Sequence, residues 1–545
     1  MSRTLTGVAA SPGLAAAPGV RWDAGEGVAV EPAPDIQTAA RRVQDDLRRR
    51  ATEAPTSEGR TVLEALSLFA GDPELLASAE AAARQGVSLP DAVRAASGHY
   101  AEQLRALGGY LAERAEDVLD VGARIVAALE GRHVAEIPNP GHPYVLVARD
   151  LAPADTALLD PTVVVALVTE QGGPTSHTAI LARSLGLPAV VACAGARDAA
   201  DGHALVVDGD LGEVHIDPPT AVVEALTARA ERQRRRTTAV TGPGMTKDSV
   251  PVALLANVGG ARDAAAAAES GAEGIGLFRT EFLFLGRTDE PSLDEQVEAY
   301  ADVLAHFVGR RVVVRTLDGG SDKPLPFLEL GAEENPALGV RGLRTETVRP
   351  GVLERQLTAL SAAVVRTGCD AWVMAPMVST TTEARWFASM VRGRGLPTAG
   401  VMIEVPAAAL RAGDLLPEVD FASLGTNDLG QYTMAADRQC GDLGTLLDPW
   451  QPALLDLVAM TCAAGKAHGR PVGVCGEAAA DPLLGAVLVG LGVSSLSMAA
   501  PALAAVRATL RDVDLATCAE AARLARSAPT AAEARNAASA LLLGA

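Results

Sequence analysis

The sequence predicts an α/β protein in two parts, a small N-terminal α/β domain with an inserted helical bundle and a C-terminal (β/α)8 TIM barrel. Three observations predict it. Past residue 245 eight apolar β-like segments recur, each followed by a helical pattern; between about 35 and 131 the chain turns to Ala-, Leu-, Arg- and Glu-rich amphipathic stretches; and from 133 to 220 short strands and helices alternate. At 545 residues the chain is too long for one core. A prior of roughly 150 residues per domain gives three or four.

Residues 1–21 hold two short apolar segments around Ser11-Pro12-Gly13, which read as a pair of strands needing partners elsewhere. Helices are predicted at 36–54, 59–68, 73–85, 89–107 and 111–129, a bundle by pattern. Along the last of them Arg114, Asp117, Asp120 and Arg124 form a charged stripe at helical spacing, expected as a solvated face or a local ion-pair network. Strands follow at 144–148, 162–168, 189–192, 204–208 and 213–216. They make a small α/β unit that the N-terminal strands would complete, so the helical block is an insertion between two pieces of one domain. A charged helix over 221–238, containing Glu231-Arg232-Gln233-Arg234-Arg235-Arg236, and the breaker Thr241-Gly242-Pro243-Gly244 read as a linker. Barrel strands are predicted at 252–258, 274–279, 312–317, 373–378, 400–405, 421–426, 472–476 and 494–498, the count that a closed (β/α)8 barrel requires.

Composition narrows the function. A formal charge of −20, from 67 acidic and 47 basic residues, repels nucleic acid and anionic membrane and favours a basic protein partner. The cysteines Cys193, Cys369, Cys440, Cys462, Cys475 and Cys518 show no CxxC pair and no metal-ligand spacing, so free thiols in a reducing compartment are expected. The N-terminus is broken by Ser11-Pro12-Gly13 and Pro18-Gly19 and lacks the continuous apolar run of a signal peptide. The uncharged run 482–506 is interrupted by Gly485, Gly490, Gly492, Ser494 and Pro501, and reads as a helix, a strand and a second helix start, not a membrane span. A soluble, cytoplasmic protein is expected.

Two sets of residues carry chemistry. Gly172-Gly173-Pro174-Thr175-Ser176-His177 follows the apolar run 163–168 and leads into 179–185 at helical spacing, so one imidazole stands at a helix start, fixed yet exposed. Alone, the segment is also ordinary turn chemistry beside a structural histidine. The second set lies where a (β/α)8 barrel gathers its chemistry, at the C-terminal strand ends. Phe278-Arg279-Thr280-Glu281 ends the second strand, Arg315-Thr316-Leu317-Asp318 the third and Ile403-Glu404 the fifth, while Gly425-Thr426-Asn427-Asp428-Leu429 follows the sixth and Cys475-Gly476-Glu477 the seventh. Arg279 and Arg315, on neighbouring strands, suit phosphate or carboxylate oxygens. Glu404 and Asp428 supply hard oxygen ligands, a partial shell for Mg2+ that substrate phosphate and water would complete. Singly, each arginine could be a structural ion pair, each carboxylate a helix cap, and Cys475 a buried strand thiol. Together they describe a site for a phosphorylated, anionic metabolite.

Further motifs stand in a fixed order: Gly7-Val8-Ala9-Ala10-Ser11-Pro12-Gly13, the Gly-Gly-x-Thr-Ser-His segment ending at His177, Gly276-Leu277-Phe278-Arg279-Thr280-Glu281-Phe282-Leu283, Glu334-Asn335-Pro336-Ala337-Leu338-Gly339, Met402-Ile403-Glu404-Val405-Pro406, Gly425-Thr426-Asn427-Asp428-Leu429 and Cys475-Gly476-Glu477. In these the sequence resembles the enzyme I family of the phosphoenolpyruvate:sugar phosphotransferase system, the phosphoenolpyruvate-protein phosphotransferases. Arg114, Asp117, Asp120, Gly122 and Arg124 match the family too, and the resemblance covers nearly the whole chain.

The resemblance implies that His177 accepts the phosphoryl group of phosphoenolpyruvate and passes it to a histidine of the phosphocarrier protein HPr. It implies that Arg279 and Arg315 hold the phosphate, with Asn427 and Arg438 also at the substrate. Glu404 and Asp428 would bind Mg2+, Cys475 would protonate the enolate carbon to give pyruvate, and Thr156 would hydrogen-bond the active histidine. The implied organisation is a phosphohistidine α/β domain over 1–21 and 132–220, an HPr-binding helical bundle over 33–131, a linker helix over 221–245 and a phosphoenolpyruvate-binding barrel over 246–545, paired as a homodimer through the barrel. No nucleic-acid binding and no membrane insertion are expected.

The sequence departs from the family at three places. Pro174 stands where arginine is frequent, Leu66 where histidine is frequent at the HPr face, and Gln439-Cys440 where Gly-Asn is common. Pyruvate, phosphate dikinase and phosphoenolpyruvate synthase share the histidine segment and the barrel, but carry a large ATP-binding domain ahead of them. In this chain the stretch before His177 is short, mostly helical and without a phosphate-binding glycine loop. A silent sensor of phosphoenolpyruvate would need neither a phosphoryl acceptor nor a proton donor.

Overall fold

A computed structural model describes residues 3–22, 30–53, 57–107, 109–132, 137–156, 159–172, 177–284, 287, 289–320, 325–328, 330–331, 333–437 and 441–544. The chain divides into two compact units, Met1–Gln233 and Arg234–Ala545.

The first unit opens with three strands where the sequence suggested a pair: β1 (Arg3–Thr6), β2 (Val8–Ser11) and β3 (Leu14–Trp22). Gly7 and the Pro12-Gly13 step divide the apolar stretches more finely than hydropathy alone indicates. Five helices follow, α1 (Ile36–Glu53), α2 (Ser57–Ala70), α3 (Pro73–Arg84), α4 (Leu89–Leu107) and α5 (Gly109–Leu129). The start of α3 shows the local logic: Pro73 fits the first helical position, and the Asp72 side chain accepts from Glu74 N and Leu75 N at 3.0 and 2.9 Å, satisfying two orphan donors. Leu47, Leu63, Leu66, Val121 and Ile125 fill the bundle core. Leu66 is fully buried, so the placement at an outward docking face does not hold for this residue. An apolar side chain at that position turns inward, while Leu68 is left exposed.

The chain then returns to alternation with β4 (Tyr144–Ala148), α6 (Pro153–Thr156), β5 (Val164–Thr169), α7 (His177–Leu185), β6 (Ala189–Val191), β7 (Ala204–Asp208), β8 (Glu213–Ile216) and α8 (Thr220–Ala239). One eight-stranded sheet runs β1-β8-β7-β3-β4-β5-β6-β2. Within it β3 and β4, which flank the five helices in sequence, lie side by side and parallel, with Gly19 opposite Val145 and Trp22 opposite Ala148. Tyr144, Leu146 and Ala148 pack into one core and Val145 and Val147 into the other, so both faces of the sheet are covered. That is why these central strands read as unbroken apolar runs and not as alternating ones. The division between the units falls inside α8.

The second unit is a closed barrel of eight parallel strands, β9 (Ala253–Val258), β10 (Ile275–Arg279), β11 (Arg311–Arg315), β12 (Asp370–Ala375), β13 (Thr398–Ile403), β14 (Phe421–Leu424), β15 (Val472–Val474) and β16 (Ser495–Met498). Each tracks its predicted segment to within about three residues at either end. Leu277, Val313, Met374, Met402, Phe421 and Cys475 pack together as an inner core. The uncharged run 482–506 resolves into a helix (Pro482–Gly490), β16 and the start of another helix (Leu503–Asp512). Among the described residues no helix is long and apolar enough to cross a membrane.

Candidate active site

The barrel brings the strand-end residues together at one end. Arg279 and Arg315 are register partners on β10 and β11. Arg315 is buried; its Nη2 donates to Glu281 Oε1 at 2.5 Å and its Nη1 lies 3.0 Å from Asp318 Oδ2. Arg279 is half-buried and its side chain has no hydrogen bond or ion pair among the described residues, so its guanidinium keeps its donors for an anion.

A further arginine completes the arrangement. Arg341, fully buried, donates from Nε and Nη2 to the two oxygens of Asp318, each at 3.1 Å, and from Nη1 and Nη2 to those of Asp428 at 2.9 and 3.2 Å. Glu281, Arg315, Asp318, Arg341 and Asp428 thus form one chain of alternating charge across the strand ends. Arg341 was not among the residues expected from sequence. Its signal was present, since it stands two residues past the Glu334–Gly339 motif, a cation in a Gly- and Val-rich stretch.

Glu404 follows β13 and is fully buried. Its Oε1 accepts from Met377 N at 2.6 Å, a donor presented by a left-handed backbone at Met377 (φ 59°) that non-glycine residues rarely adopt. Its Oε2 has no hydrogen-bond partner among the described residues. Burial, then the neighbouring Asp428 and Asp318, push the Glu404 carboxyl up to about 7. These features fit a divalent cation. Four buried carboxylates, Glu281, Asp318, Glu404 and Asp428, face two buried guanidiniums, and one carboxylate oxygen of Glu404 is unsatisfied. A Cβ at Gly425 would come within 3.0 Å of that same oxygen, so glycine there keeps the approach open. Among the described residues no three His, Cys, Asp or Glu side chains cluster as a metal site, which limits the protein's share to at most two of these carboxylates.

Asn427 Oδ1 accepts from Glu477 N at 3.0 Å and ties the turn after β14 to the turn after β15. In the latter Cys475 is buried, its Sγ donating to Leu424 O at 3.6 Å. Asn257 holds the same turn from β9, donating from Nδ2 to Cys475 O at 3.0 Å while its Oδ1 accepts from Ser497 Oγ at 2.6 Å. Burial pushes the thiol up to about 11, against the opposing influence of a Ser423 hydrogen bond and the Arg315 charge. A thiol in that range keeps its proton at neutral pH, which suits proton donation and not nucleophilic attack. Alkylation of Cys475 by iodoacetamide at pH 8 is therefore expected to run on the order of a hundredfold slower than for an ordinary exposed thiol. Mass mapping of the modified peptide reads this, and modification at the free-thiol rate would contradict the assignment. Arg438 and Cys440 lie outside the described residues.

In the first unit β5 ends at Thr169, whose Oγ1 donates to Gln171 O at 2.7 Å, and Gly172 turns the chain with φ 91°. Pro174 falls outside the described residues, as does the His177 side chain; the backbone of His177 opens α7. Arg183 Nη1 pins that helix to β2 through Ala10 O at 2.8 Å. Thr156 is buried at the end of α6, which packs against α7, and its Oγ1 donates to Ala152 O at 3.3 Å.

The charged stripe on α5 is not a solvated face. Asp117 is 1% and Arg124 5% exposed, because neighbouring helices, α6 among them, pack over α5. Arg124 Nε donates to Asp120 Oδ1 and Nη2 to Asp155 Oδ1, both at 2.9 Å. The ion-pair half of the expectation stands, as a buried network. Arg114's side chain lies outside the described residues.

An eight-stranded barrel with paired arginines, an unsatisfied carboxylate and a protonated thiol at its strand ends, in a chain that also carries an α/β unit with a histidine at a helix start, defines a phosphoenolpyruvate-utilising enzyme. Residues 233–515 match the phosphoenolpyruvate-binding domain of that class, 140–212 its mobile domain and 6–114 its N-terminal domain. Over 557 aligned residues the chain is 51% identical to the phosphoenolpyruvate-protein phosphotransferase of Streptomyces coelicolor, with 100% of both chains covered. It is 40% identical to the Haloferax volcanii protein of the same name, over 92% of this chain and 90% of the relative. A solution structure of an Enzyme I (nEIt) protein matches 42% of this chain and 99% of its own length, at 32% identity and a TM-score of 0.38. The chain belongs to the enzyme I family, the phosphoenolpyruvate-protein phosphotransferases.

Proposed function

We propose that this enzyme moves the phosphoryl group of phosphoenolpyruvate to His177 and from there to a histidine of the phosphocarrier protein HPr, the first step of a sugar phosphotransferase system. The observation that supports this most is the buried chain of charge on the barrel, with the uncommitted Arg279 beside it and the protonated Cys475 thiol near by. Arg279 takes the phosphate and Arg315, held by Glu281 and Asp318, presents its guanidinium in one orientation; Asn427 and Arg438 complete the substrate contacts.

An imidazole nitrogen of His177 attacks phosphorus as the bond from phosphorus to the enol oxygen breaks, leaving the enolate of pyruvate. Cys475 delivers its thiol proton to the enolate carbon, giving pyruvate, and the thiolate regains a proton from solvent. Glu404 and Asp428 would hold Mg2+, which when bound neutralises negative charge on the transferring phosphate. Thr156 hydrogen-bonds the imidazole and selects the attacking nitrogen. The helical bundle receives the carrier through residues other than the buried Leu66. Since His177 and the barrel residues belong to different units, transfer requires the first unit to alternate between barrel and carrier, with α8 as the connection. The enzyme works in the cytoplasm as a homodimer paired through the barrel.

Incubation with phosphoenolpyruvate labelled in its phosphate, in the presence of Mg2+, followed by peptide mapping of the acid-labile label, tests the reading. The label is expected on the peptide containing His177, with one pyruvate formed per label. No uptake, or a label elsewhere in the chain, would refute it.

A further inference from the structure

We infer that Arg124 is a positioning residue for phosphoryl transfer, pinning α6, and with it Thr156, against α7. The inference rests on the reading of His177 as acceptor and of Thr156 as its hydrogen-bond partner. α6 is four residues long, Pro153–Thr156, too short to hold its place through its own hydrogen bonds. Beside packing from α2 and α7, α5 supplies polar anchors. Arg124 Nη2 donates to Asp155 Oδ1 at 2.9 Å while Arg124 Nε donates to Asp120 Oδ1 at 2.9 Å, and Asp120 Oδ2 accepts from Ala154 N at 3.4 Å. Two consecutive residues of α6 are therefore gripped by one ion pair on the neighbouring helix.

Burial makes the grip strict. Arg124 and Asp155 are both nearly inaccessible, and a buried carboxylate that loses its cation must move or take a proton. Burial already pushes the Asp155 carboxyl up, and the Arg124 charge is the largest influence opposing it. Thr156 follows Asp155 directly in the chain, so a displacement of Asp155 carries the Thr156 hydroxyl with it. α6 packs on α7, and α7 begins at His177. The path from Arg124 to α7 thus runs through two covalently adjacent residues and one helix contact. Arg124 itself touches no substrate.

The test is a double-mutant cycle in the full-length protein, read as the single-turnover rate of His177 labelling from phosphoenolpyruvate. Arg124→Gln and Thr156→Ala are each expected to slow labelling about tenfold, and the double variant to be no more than about twofold slower than Thr156→Ala alone. The KM for phosphoenolpyruvate is expected to stay unchanged, since the barrel residues are intact. Nuclear magnetic resonance titration of His177 is expected to shift in the same direction in both single variants. Should Arg124→Gln not fold, Asp155→Asn replaces it, keeping the shape of the side chain while removing its charge, with the same non-additivity expected. Additive losses, or labelling in Thr156→Ala equal to wild type, would overturn this inference and leave His177 as acceptor untouched. A label that persists in His177→Ala would overturn the acceptor reading instead.

Discussion

His177→Ala is expected to take up no acid-labile label from phosphoenolpyruvate and to pass none to a phosphocarrier, a loss of more than about 10^4-fold set by the detection limit. The magnitude follows from the role. A residue that shapes a site leaves residual rate when it is removed, whereas a residue that becomes the covalent intermediate leaves none. The variant is also expected to bind phosphoenolpyruvate on the barrel within about twofold of wild type, because the proposed substrate contacts and the barrel core all lie in the second unit. Calorimetric titration with phosphoenolpyruvate and Mg2+ checks that half. Labelling above background would show that another side chain accepts the phosphoryl group. Loss of both labelling and binding would show that the substitution damaged more than the acceptor.

The architecture was legible because it depends on local pattern. Each barrel strand is a short apolar run followed by a helical segment, and burial inside a closed parallel barrel imposes the apolar run on every repeat. The residues at the strand ends were legible for the same reason: Arg279, Arg315 and Glu404 are the first polar groups after apolar runs. What pattern could not supply was partnership. Helical spacing showed that Arg114, Asp117, Asp120 and Arg124 share a side of α5, but whether water or α6 covers that side depends on Asp155, which is remote in sequence. Leu66 shows the same limit, since the sequence resemblance suggested a docking-face position and the side chain is core in this chain. Arg341 escaped because its meaning lies in Asp318 and Asp428, two carboxylates that only barrel closure brings to one guanidinium. Arg315 does not face solvent as a free charge, so the two strand-end arginines are not equivalent: Arg315 is anchored and Arg279 is uncommitted.

Arg341→Met is expected to lower the urea stability of the second unit by about 3–5 kcal/mol and to reduce labelling of His177 by about a thousandfold. Methionine fills much of the same volume, so the effect is one of charge and hydrogen bonding, not of a cavity. Wild-type Arg341 donates to both oxygens of Asp318 and both of Asp428, all of it without solvent access. Removing the guanidinium leaves two buried carboxylates without that cation, and the loss of one partner from a buried pair is far more damaging than the pair's own net contribution. Glu404 feels the change as well. The Arg341 charge is one of the influences that hold its carboxyl down, so without it the group moves further up and takes a proton more readily. A protonated Glu404 is a poor cation ligand, which predicts weaker Mg2+ binding in the variant, measurable by calorimetry without turnover. Arg341→Lys separates the two contributions. Lysine restores one positive charge but not the fork that reaches both carboxylates, so it is expected to recover most of the stability and little of the rate. An Arg341→Met protein with the wild-type urea midpoint and labelling within about threefold of wild type would mean that the bridge between Asp318 and Asp428 neither stabilises the strand ends nor orders the site for phosphoryl transfer.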